Sequence, residues 1–276
     1  MKQFIKYITP DFFKKIYRSL STRKHPVYGW FGDYTSWKEA QKKCTGYDTG
    51  LILNKVKEAT LKVIRGEAAF ERDSVTFDQL EYVPEFVNIL NEIAEENKGQ
   101  LRVLDFGGSL GSVYFQHRSL LNKAKNTEWN VVEQKHFVDC GKSEFADEHL
   151  RFYYSCEECL RSAKIEILLL SSVLPYLEKP YDMLKEMTGY SIPYILIDRT
   201  IFIDDDRDRL TLQIVPKEIY EASYPCWLLN KKNVIEAIKG YELIQTFKPY
   251  ADATLIIGTK HAYFEALLFK KKHNGN

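Results

Sequence analysis

The feature that most constrains the fold is a series of five short apolar runs that begins at residue 101. The runs occupy residues 101–106, 129–133, 151–155, 165–171 and 194–198, and polar stretches with helical spacing separate them. Strands that are apolar throughout are typical of parallel sheets, because helices cover both faces of such a sheet. The pattern therefore predicts an α/β fold in which five βα units build one parallel sheet.

The carboxyl-terminal part of the chain departs from this pattern. Residues 241–247 and 263–270 are rich in β-forming side chains, with no helical pattern between them, which predicts a terminal antiparallel β pair. Before it, residues 201–230 combine an acidic turn at Asp204, Asp205 and Asp206 with alternating apolar residues. We interpret this stretch as a lid insertion after the fifth strand, in which the charged turn leads into a strand of a hairpin. The spacing of the three aspartates is not that of a calcium loop, and no metal is expected.

The amino-terminal part reads as mostly helical. Apolar side chains recur at helical spacing in residues 50–64 and 85–97, and Gly99 is placed to end the second of these helices. We therefore expect a helical N-terminal preface or cap at residues 1–98, followed by the α/β domain at residues 99–276.

Charge and cysteine content bound the partners and the compartment. The formal net charge of +1 gives no support to nucleic-acid binding. Five cysteines, an odd number without a secretion signal, predict free thiols in the cytoplasm. Cys156 and Cys159 form a lone CxxC pair without further zinc ligands.

Residues 1–24 carry a local excess of basic side chains. Aromatic and aliphatic residues interleave with them, and Asp11 is the one acidic residue. The favoured interpretation is a helix packed on the main domain. The alternative is weak peripheral attachment to an anionic membrane surface at its inner face. The segment is too interrupted by charge to be a signal peptide or to span a bilayer, which needs about 20 apolar residues.

A glycine-rich turn directly follows the first apolar run, in the sequence VLDFGGSLGS at residues 103–112. The dinucleotide pattern G-x-G-x-x-G fits no frame, because Ser109 and Leu110 stand where second glycines would be needed. Asp105, just before the turn, would also repel a phosphate. A carboxylate there suits a cationic or hydroxyl-bearing ligand, such as the amino-acid part of S-adenosylmethionine. Glu133 ends the second run, where a carboxylate can accept both hydroxyls of a ribose.

These residues resemble the first motif of class I S-adenosylmethionine-dependent methyltransferases, D/E-x-G-x-G-x-G. Ser109 stands at the middle glycine, and Gly108 is additional. More narrowly, the chain is similar to a poorly characterised bacterial methyltransferase family linked to surface-polysaccharide gene clusters. Beside the turn, the similarity rests on residues 29–37, 71–74, 114–116, 132–134, 170–174, 197–200 and 224–227.

The resemblance implies a Rossmann-like class I sheet and a set of cofactor contacts. Residues of the turn would hold the methionine part of S-adenosylmethionine, and Glu133 the ribose. Gln134 and the turn around Ser155 and Cys156 would flank the adenine, with Glu157 or Glu158 replacing the usual acidic residue there. Ser171, Ser172 and Val173 would lie beside the methyl group. The turn residues are Asp105, Gly107, Gly108, Ser109 and Gly111.

Candidates for catalysis are fewer and more ambiguous. His136 is either a general base or an ordinary surface-loop residue. Asp198 and Arg199, taken as the end of the fifth strand, form either a structural ion pair or a clamp for an anionic substrate.

Substrate-binding candidates come from the preface and the insertion. Arg72 and Asp73 are either a solvated turn after a helix or part of the acceptor site. Trp30 and Tyr34 lie in an aromatic loop that either caps a core or stacks on a sugar, and Tyr224 and Trp227 would return the lid over the cleft. We expect the guanidinium groups of Arg72 and Arg199 to converge over the methyl position.

The sequence therefore favours an enzyme that O-methylates a sugar, a glycan precursor or another small metabolite. The alternative is a catalytically inactive, methyltransferase-like binding or accessory protein in glycan assembly. An NAD-dependent epimerase or reductase is a distant third, because the dinucleotide glycines are missing.

Overall fold

The structure is a computed structural model that describes residues 28–45, 49–215, 222–249, 254–257 and 259–272. The chain divides into two compact units. The first unit comprises Met1–Glu81, Ile201–Asn230 and Ala253–Tyr263, and the second unit comprises Tyr82–Thr200, Lys231–Asp252 and Phe264–Asn276. This division differs from the expected one at residue 98, because the predicted lid segment groups with the preface.

The described residues form mostly short helices and strands. The strands are β1 (Gly29–Tyr34), β2 (Phe70–Arg72), β3 (Val75–Phe77), β4 (Gln100–Phe106), β5 (Asn126–Val132), β6 (Leu150–Tyr153), β7 (Ile167–Ser171), β8 (Tyr194–Ile203), β9 (Arg209–Ile214), β10 (Ser223–Leu228), β11 (Tyr241–Phe247), β12 (Thr254–Ile257) and β13 (Lys260–Lys271). The helices are α1 (Trp37–Gln41), α2 (Thr49–Ile64), α3 (Pro84–Glu96), α4 (Ser112–His117), α5 (Lys135–Glu144), α6 (Cys156–Ser162), α7 (Pro180–Gly189) and α8 (Lys231–Ala237).

The main sheet has the strand order β11-β13-β8-β7-β4-β5-β6. Strands β8, β7, β4, β5 and β6 pair in parallel, and β11 pairs with β13 antiparallel. The predicted Rossmann-like α/β sheet, with five parallel strands and a terminal antiparallel pair, is therefore confirmed. Strand order reverses between β4 and β7, and ligands of such sheets bind at the carboxyl ends of the strands beside this switch point.

Two details of this sheet differ from the sequence prediction. The fifth parallel strand was expected to end at Asp198 and Arg199, but β8 continues to Ile203. The short strand β12 was not predicted, and it pairs antiparallel with the first residues of β13. Strand β8 is buried along almost its whole length, so its side chains stay buried beyond Asp198, where its pairing with β7 ends. The apolar pattern therefore could not show where the strand itself ends.

Helix α3 (Pro84–Glu96) forms where the spacing of apolar residues predicted a helix that Gly99 would end. Its apolar side chains are buried, and it ends where Lys98 and Gly99 adopt left-handed backbone conformations, with φ of 59° and 91°. The N–H of Gly99 donates to the carbonyl of Ala94 at 2.7 Å. The helix thus closes with the glycine-containing turn that satisfies its last carbonyl groups.

The prediction of a mostly helical preface is wrong for part of the first unit. Strands β2 and β3 form a hairpin whose two-residue turn is Asp73 and Ser74, with φ of 51° and 67°. Two consecutive positive φ values match the type I′ turn, which suits the twist of a tight hairpin. Arg72 and Asp73 therefore lie in and beside a hairpin turn, rather than in a solvated turn after a helix.

A three-stranded antiparallel sheet of order β1-β9-β10 also belongs to the first unit. The hairpin of β9 and β10 was predicted as part of the insertion. Residues 29–34 were expected to be a loop, but they form β1 and pair with β9. The partner of β1 lies far away in the sequence, so local spacing gave no signal for it.

The expectations about the membrane concern mainly residues outside the described part of the chain. Residues 1–24, which carry the basic and aromatic pattern, lie outside it. Among the helices that are described, none combines the length and the apolar character needed to cross a bilayer.

An ion pair between the partly exposed Arg102 and the buried Glu166 fixes the start of the central strands. The carboxylate of Glu166, which is 2% exposed, accepts hydrogen bonds from the backbone N–H of Arg102 at 2.8 Å and from its guanidinium group. The N–H of Glu166 donates in turn to the carbonyl of Arg102 at 3.0 Å. These bonds hold β4 and β7 in register, so that the carboxyl ends of both strands are level.

We predict that Glu166→Ala lowers the free energy of unfolding by about 3 kcal/mol, because it leaves the Arg102 guanidinium without its buried partner. The matched control is Glu95→Ala. It removes an ion pair with Lys123 in which both side chains are more than half exposed, so it should cost less than about 1 kcal/mol. Urea denaturation measures both, and equal losses would contradict this role of Glu166.

Candidate functional site

The glycine-rich turn follows β4 at the switch point of the sheet. Gly107 has a φ of 74°, and its N–H donates to the carbonyl of Val132 at 2.9 Å. A Cβ on Gly107 would lie 2.8 Å from Cγ2 of Val173. Gly111, with a φ of 89°, begins α4. Glycine at these two positions allows backbone conformations and close contacts that other residues would strain.

Ser109 occupies the position where the methyltransferase motif usually has glycine. Its φ of 56° lies in the left-handed region, so it adopts a conformation in which glycine is preferred. The departure from the motif is therefore a change of residue type at a position with a glycine-like backbone.

Gly108 is the additional glycine, and its role is steric. A Cβ on Gly108 would lie 2.6 Å from both Cγ and Oδ2 of Asp105. The Asp105 carboxylate thus lies directly against the backbone of the turn, and a side chain at position 108 would displace it.

Asp105 itself is 1% exposed and accepts a hydrogen bond from Nε1 of Trp129 at 2.9 Å. Burial raises the pKa of its carboxyl group to about 7, although the Trp129 bond and the charge of Arg199 oppose that shift. Sequence reasoning missed Trp129. Its place in the second apolar run could have indicated it. Trp129 is the register partner of Val103 on β4, and Asp105 lies two residues after Val103, on the same face of the sheet.

Glu133 follows β5 and reaches the same turn. Its carboxylate accepts from the backbone N–H groups of Gln134 and Ser109, and burial raises the pKa of this carboxyl group. Gln134 is the exposed N-cap residue of α5. The end of β5 and the glycine-rich turn are thus held together by a carboxylate that, with two oxygens, can accept further hydrogen bonds.

The carboxyl end of β7 and the neighbouring part of β8 carry a second cluster of polar side chains. Ser171 is the register partner of Asp198, and its Oγ donates to Oδ2 of Asp198 at 2.6 Å. Nε of Arg199 donates to the same Oγ at 3.1 Å and lies 3.5 Å from Oδ2 of Asp198. The N–H of Ser172 donates to the carbonyl of Asp198 at 2.9 Å.

The conformation of Arg199 is unusual for a strand residue, with a φ of 47°. Within the part of the chain that the structure describes, Nε of Arg199 donates a hydrogen bond, whereas the two terminal nitrogen atoms of its guanidinium group have no hydrogen-bond partner. A guanidinium group with a free pair of donors is suited to a carboxylate or a phosphate.

The second unit therefore brings together most of the predicted cofactor residues, but not all of the catalytic candidates. His136 lies in the first turn of α5, after β5, with its ring 4.9 Å from that of Phe137. Its Nε2 atom is buried without a hydrogen-bond partner in the described residues. Strands β4 and β7 separate β5 from β8, a distance of about 14 Å at the usual strand spacing. His136 is thus not grouped with Asp198 and Arg199.

The turn after β6 shows what the two adjacent glutamates do. Ser155 caps α6 by accepting from the N–H of Glu158, and the Glu158 carboxylate accepts from the N–H of Tyr154 at 2.8 Å. This arrangement is close to a capping box. Glu157 accepts from the hydroxyl group of Tyr190 at 2.6 Å, and the side chain of Cys156 is buried. Both glutamates therefore have structural partners, which weakens their expected role at an adenine ring.

The predicted aromatic residues of the first unit fall into two groups. Trp30 and Tyr224 are both register partners of Gln213, whereas Tyr34 and Trp227 are both partners of Leu210. Side chains that are an odd number of residues apart on a strand point to opposite faces. Gln213 and Leu210 are three residues apart on β9, so the two pairs lie on opposite faces of the sheet. A bulge between Phe31 and Tyr34 hides this from the sequence spacing.

Each group has further contacts within the first unit. Nε1 of Trp30 donates to Sγ of Cys226 at 3.3 Å. Trp37 stacks on Trp227, with ring centroids 6.4 Å apart. Arg72, in the hairpin, lies with its guanidinium carbon 5.5 Å from the centre of the Phe70 ring. Because Arg72 and Arg199 belong to different units, their convergence stays a prediction.

Comparisons with known proteins find similarity in solved structures. No family model and no curated protein matches the chain. The N-terminal domain of EvdMO1, solved with S-adenosylhomocysteine bound, is 12% identical, with a TM-score of 0.46 over 82% of this chain and 98% of that one. A Clostridium acetobutylicum S-adenosylmethionine-dependent methyltransferase is 12% identical, with a TM-score of 0.45 over 80% and 99%. The 1,6-didemethyltoxoflavin N1-methyltransferase of Burkholderia thailandensis is 12% identical, with a TM-score of 0.46 over 91% and 98%.

We predict that Gly108→Ala weakens the binding of S-adenosylhomocysteine at least about tenfold, because the new Cβ displaces the Asp105 carboxylate. The matched control is Gly189→Ala in α7, where a Cβ would meet no atom within 4 Å. Isothermal titration calorimetry on both variants checks this. If the two variants bound equally well, Gly108 would have no role at the site.

Proposed function

We propose that the chain is an S-adenosylmethionine-dependent methyltransferase that O-methylates a sugar, a glycan precursor or another small metabolite. The observation that carries this proposal is the grouping of three carboxylates, those of Asp105, Glu133 and Asp198, at the carboxyl ends of parallel strands around a glycine-rich turn. The pattern D-x-G-G-S-L-G and its resemblance to the first class I motif agree with it.

The residues present fit this cofactor in charge. Three carboxylates surround the turn, and Arg199 is the cation that acts on Asp105 within this cluster. S-adenosylmethionine carries an ammonium and a sulfonium group, and an excess of carboxylates favours such a cation. Asp105 would face the ammonium group, and Glu133 would accept the ribose hydroxyls with the acceptor capacity that its two backbone bonds leave.

The fit also extends to shape. A Cβ on Gly107, Gly108 or Gly111 would meet Val173, Asp105 or Leu150, respectively. Glycine at these positions therefore lets the turn lie close to the carboxyl ends of the strands, where ligands of such sheets bind. Ser171 and Ser172, at the end of β7, are proposed to lie beside the reacting carbon, as the resemblance implies. Gln134 and the backbone at Cys156 remain the proposed neighbours of the adenine.

S-adenosylmethionine supplies an electrophilic methyl group, and the protein must align an acceptor hydroxyl and remove its proton. Asp198, bonded to Ser171 at the end of β7, is the proposed proton acceptor. Arg199 would hold the acceptor in place. His136 stays a separate prediction for the base, on the ribose side of the site.

The terminal nitrogens of Arg199, which have no hydrogen-bond partner in the described part of the chain, support an acceptor that carries a carboxylate or a phosphate, such as an acidic or nucleotide-linked sugar. Sugar hydroxyls alone seldom need a guanidinium fork. Arg72 and Asp73 are proposed to contribute from the hairpin of the first unit. Of the aromatic residues, Trp30 and Tyr224 share one sheet face and are proposed to stack on the sugar ring, and Tyr34 and Trp227 share the other.

The cellular setting is part of the same proposal. We infer a cytoplasmic role in bacterial polysaccharide biosynthesis from the family resemblance, with residues 1–24 as the segment that would make weak contact with the inner membrane surface.

The cofactor is tested by binding. We predict micromolar affinity for S-adenosylhomocysteine, a binding free energy on the order of −7 to −8 kcal/mol, and at least a tenfold loss in Asp105→Ala and in Glu133→Ala. Glu128→Ala is the matched control, since it removes a carboxylate of β5 that pairs with Arg151 instead. Tight binding of NAD, or unchanged affinity in both site variants, would rule the assignment out.

The acceptor is tested with Arg199→Lys, which keeps the positive charge but removes the fork of donors. Release of S-adenosylhomocysteine is followed with a panel of uronic acids, nucleotide-linked sugars and neutral sugars. We expect turnover of the acidic acceptors to fall at least about a hundredfold, equivalent to about 2.7 kcal/mol, with little change in cofactor affinity. A variant that keeps wild-type turnover, or turnover confined to neutral sugars, would contradict the anionic acceptor.

A further inference from the structure

Trp129 and Asp105 form a buried pair that neither the glycine-rich motif nor the methyl-transfer chemistry requires. Trp129 is the register partner of Val103 on β4, so its side chain leaves the sheet on the same face as Val103 and Asp105. From there the indole reaches along the sheet, and Nε1 donates to Oδ2 of Asp105 at 2.9 Å. The two residues are 0% and 1% exposed, so water is not placed to replace this donor.

The carboxylate is confined on two sides. The indole N–H approaches it from β5, and the backbone of Gly108 covers it. A Cβ on Gly108 would lie only 2.6 Å from Cγ and Oδ2 of Asp105. Trp129 Nε1 is the donor to this carboxylate among the residues that the structure describes. A buried carboxylate that lost such a donor would take up a proton or turn away, because an unsatisfied buried charge is costly.

Charged groups from the neighbouring strands also act on Asp105. Arg199 favours its ionised form, whereas Glu133 at the end of β5 and Asp198 on β8 oppose it. From α4, the ring of Tyr114 packs on the Trp129 indole, with centroids 5.9 Å apart. After burial, the Trp129 bond has the largest effect on the pKa of Asp105, and it acts to keep the carboxylate ionised.

We propose that Trp129 is a positioning residue of the cofactor site, whose indole N–H holds the Asp105 carboxylate in place beneath Gly108 so that it can bind a ligand ammonium group. This inference rests on the proposed function, since the ammonium group is that of S-adenosylmethionine or its product. Trp129 acts through Asp105 and need not contact the ligand.

The proposal predicts a distinctive pH dependence. The ammonium group needs ionised Asp105, so affinity for S-adenosylhomocysteine should fall as the pH drops through about 7, the pKa of that carboxyl group in the free protein. Trp129→Phe removes the donor, raises the pKa and moves the midpoint upward by about one pH unit. Affinity should then be about fivefold below wild type at pH 7 and almost equal to it at pH 9.

The experiment is calorimetry with S-adenosylhomocysteine between pH 6 and pH 9 on wild type, Trp129→Phe and Val103→Ala. The ratio of variant to wild-type affinity is the readout, because the titration of the ligand's own amino group is common to both. Val103→Ala is the matched control. It empties space beside Trp129 at a fully buried position but keeps the hydrogen bond, so its ratio should not change with pH.

A second measurement keeps the proposal testable if Trp129→Phe does not fold. The chain has four tryptophans, and the indole ¹H–¹⁵N resonance of Trp129 should titrate in the wild type with a midpoint near 7. That titration should disappear in Asp105→Asn and on saturation with S-adenosylhomocysteine.

The outcomes separate the two proposals. An affinity ratio that is constant with pH, or an indole signal that does not titrate, overturns the role of Trp129 while the cofactor assignment stands. If the wild type binds no S-adenosylhomocysteine at any pH, the proposed function itself fails.

Discussion

The burial of the Asp105 carboxylate at the switch point of the sheet is the constraint on which the rest of the site depends. A charged group removed from water needs donors and countercharge, and here Trp129 and Arg199 supply them. The close approach of the turn requires glycine at position 108. The register of β4 with β5 and β7 then fixes where Glu133 and Ser171 can lie.

Much of this arrangement could be predicted from the sequence, because parallel strands covered on both faces leave a continuous apolar signal. The five runs located the five parallel strands, and the residues that end them located Asp105, Glu133 and Ser171 at one edge. Ser109 adopts a positive φ, so the turn keeps a glycine-like backbone at the position where the motif usually has glycine.

The remainder depended on contacts that sequence spacing does not encode. The pairing of β1 with β9, the bulge that divides Trp30 from Tyr34, and the two-residue turn at Asp73 all follow from long-range register or from backbone conformation. Trp129 looked like a core residue and is one, but its N–H has a specific partner. Glu157 and Glu158 were predicted to be near the adenine. Instead, Glu158 accepts from the N–H of Tyr154 beside the start of α6, and Glu157 accepts from the hydroxyl group of Tyr190, a residue distant in the sequence.

The carboxylates around the glycine-rich turn are proposed to form a site for S-adenosylmethionine. A crystal structure of the full chain grown with S-adenosylhomocysteine tests this proposal. We expect ligand density at the carboxyl ends of β4 and β5, with the amino group within hydrogen-bond distance of Asp105 and the ribose hydroxyls on Glu133. Density for the ligand elsewhere, with Asp105 bonded to Trp129 but to no ligand atom, would contradict it.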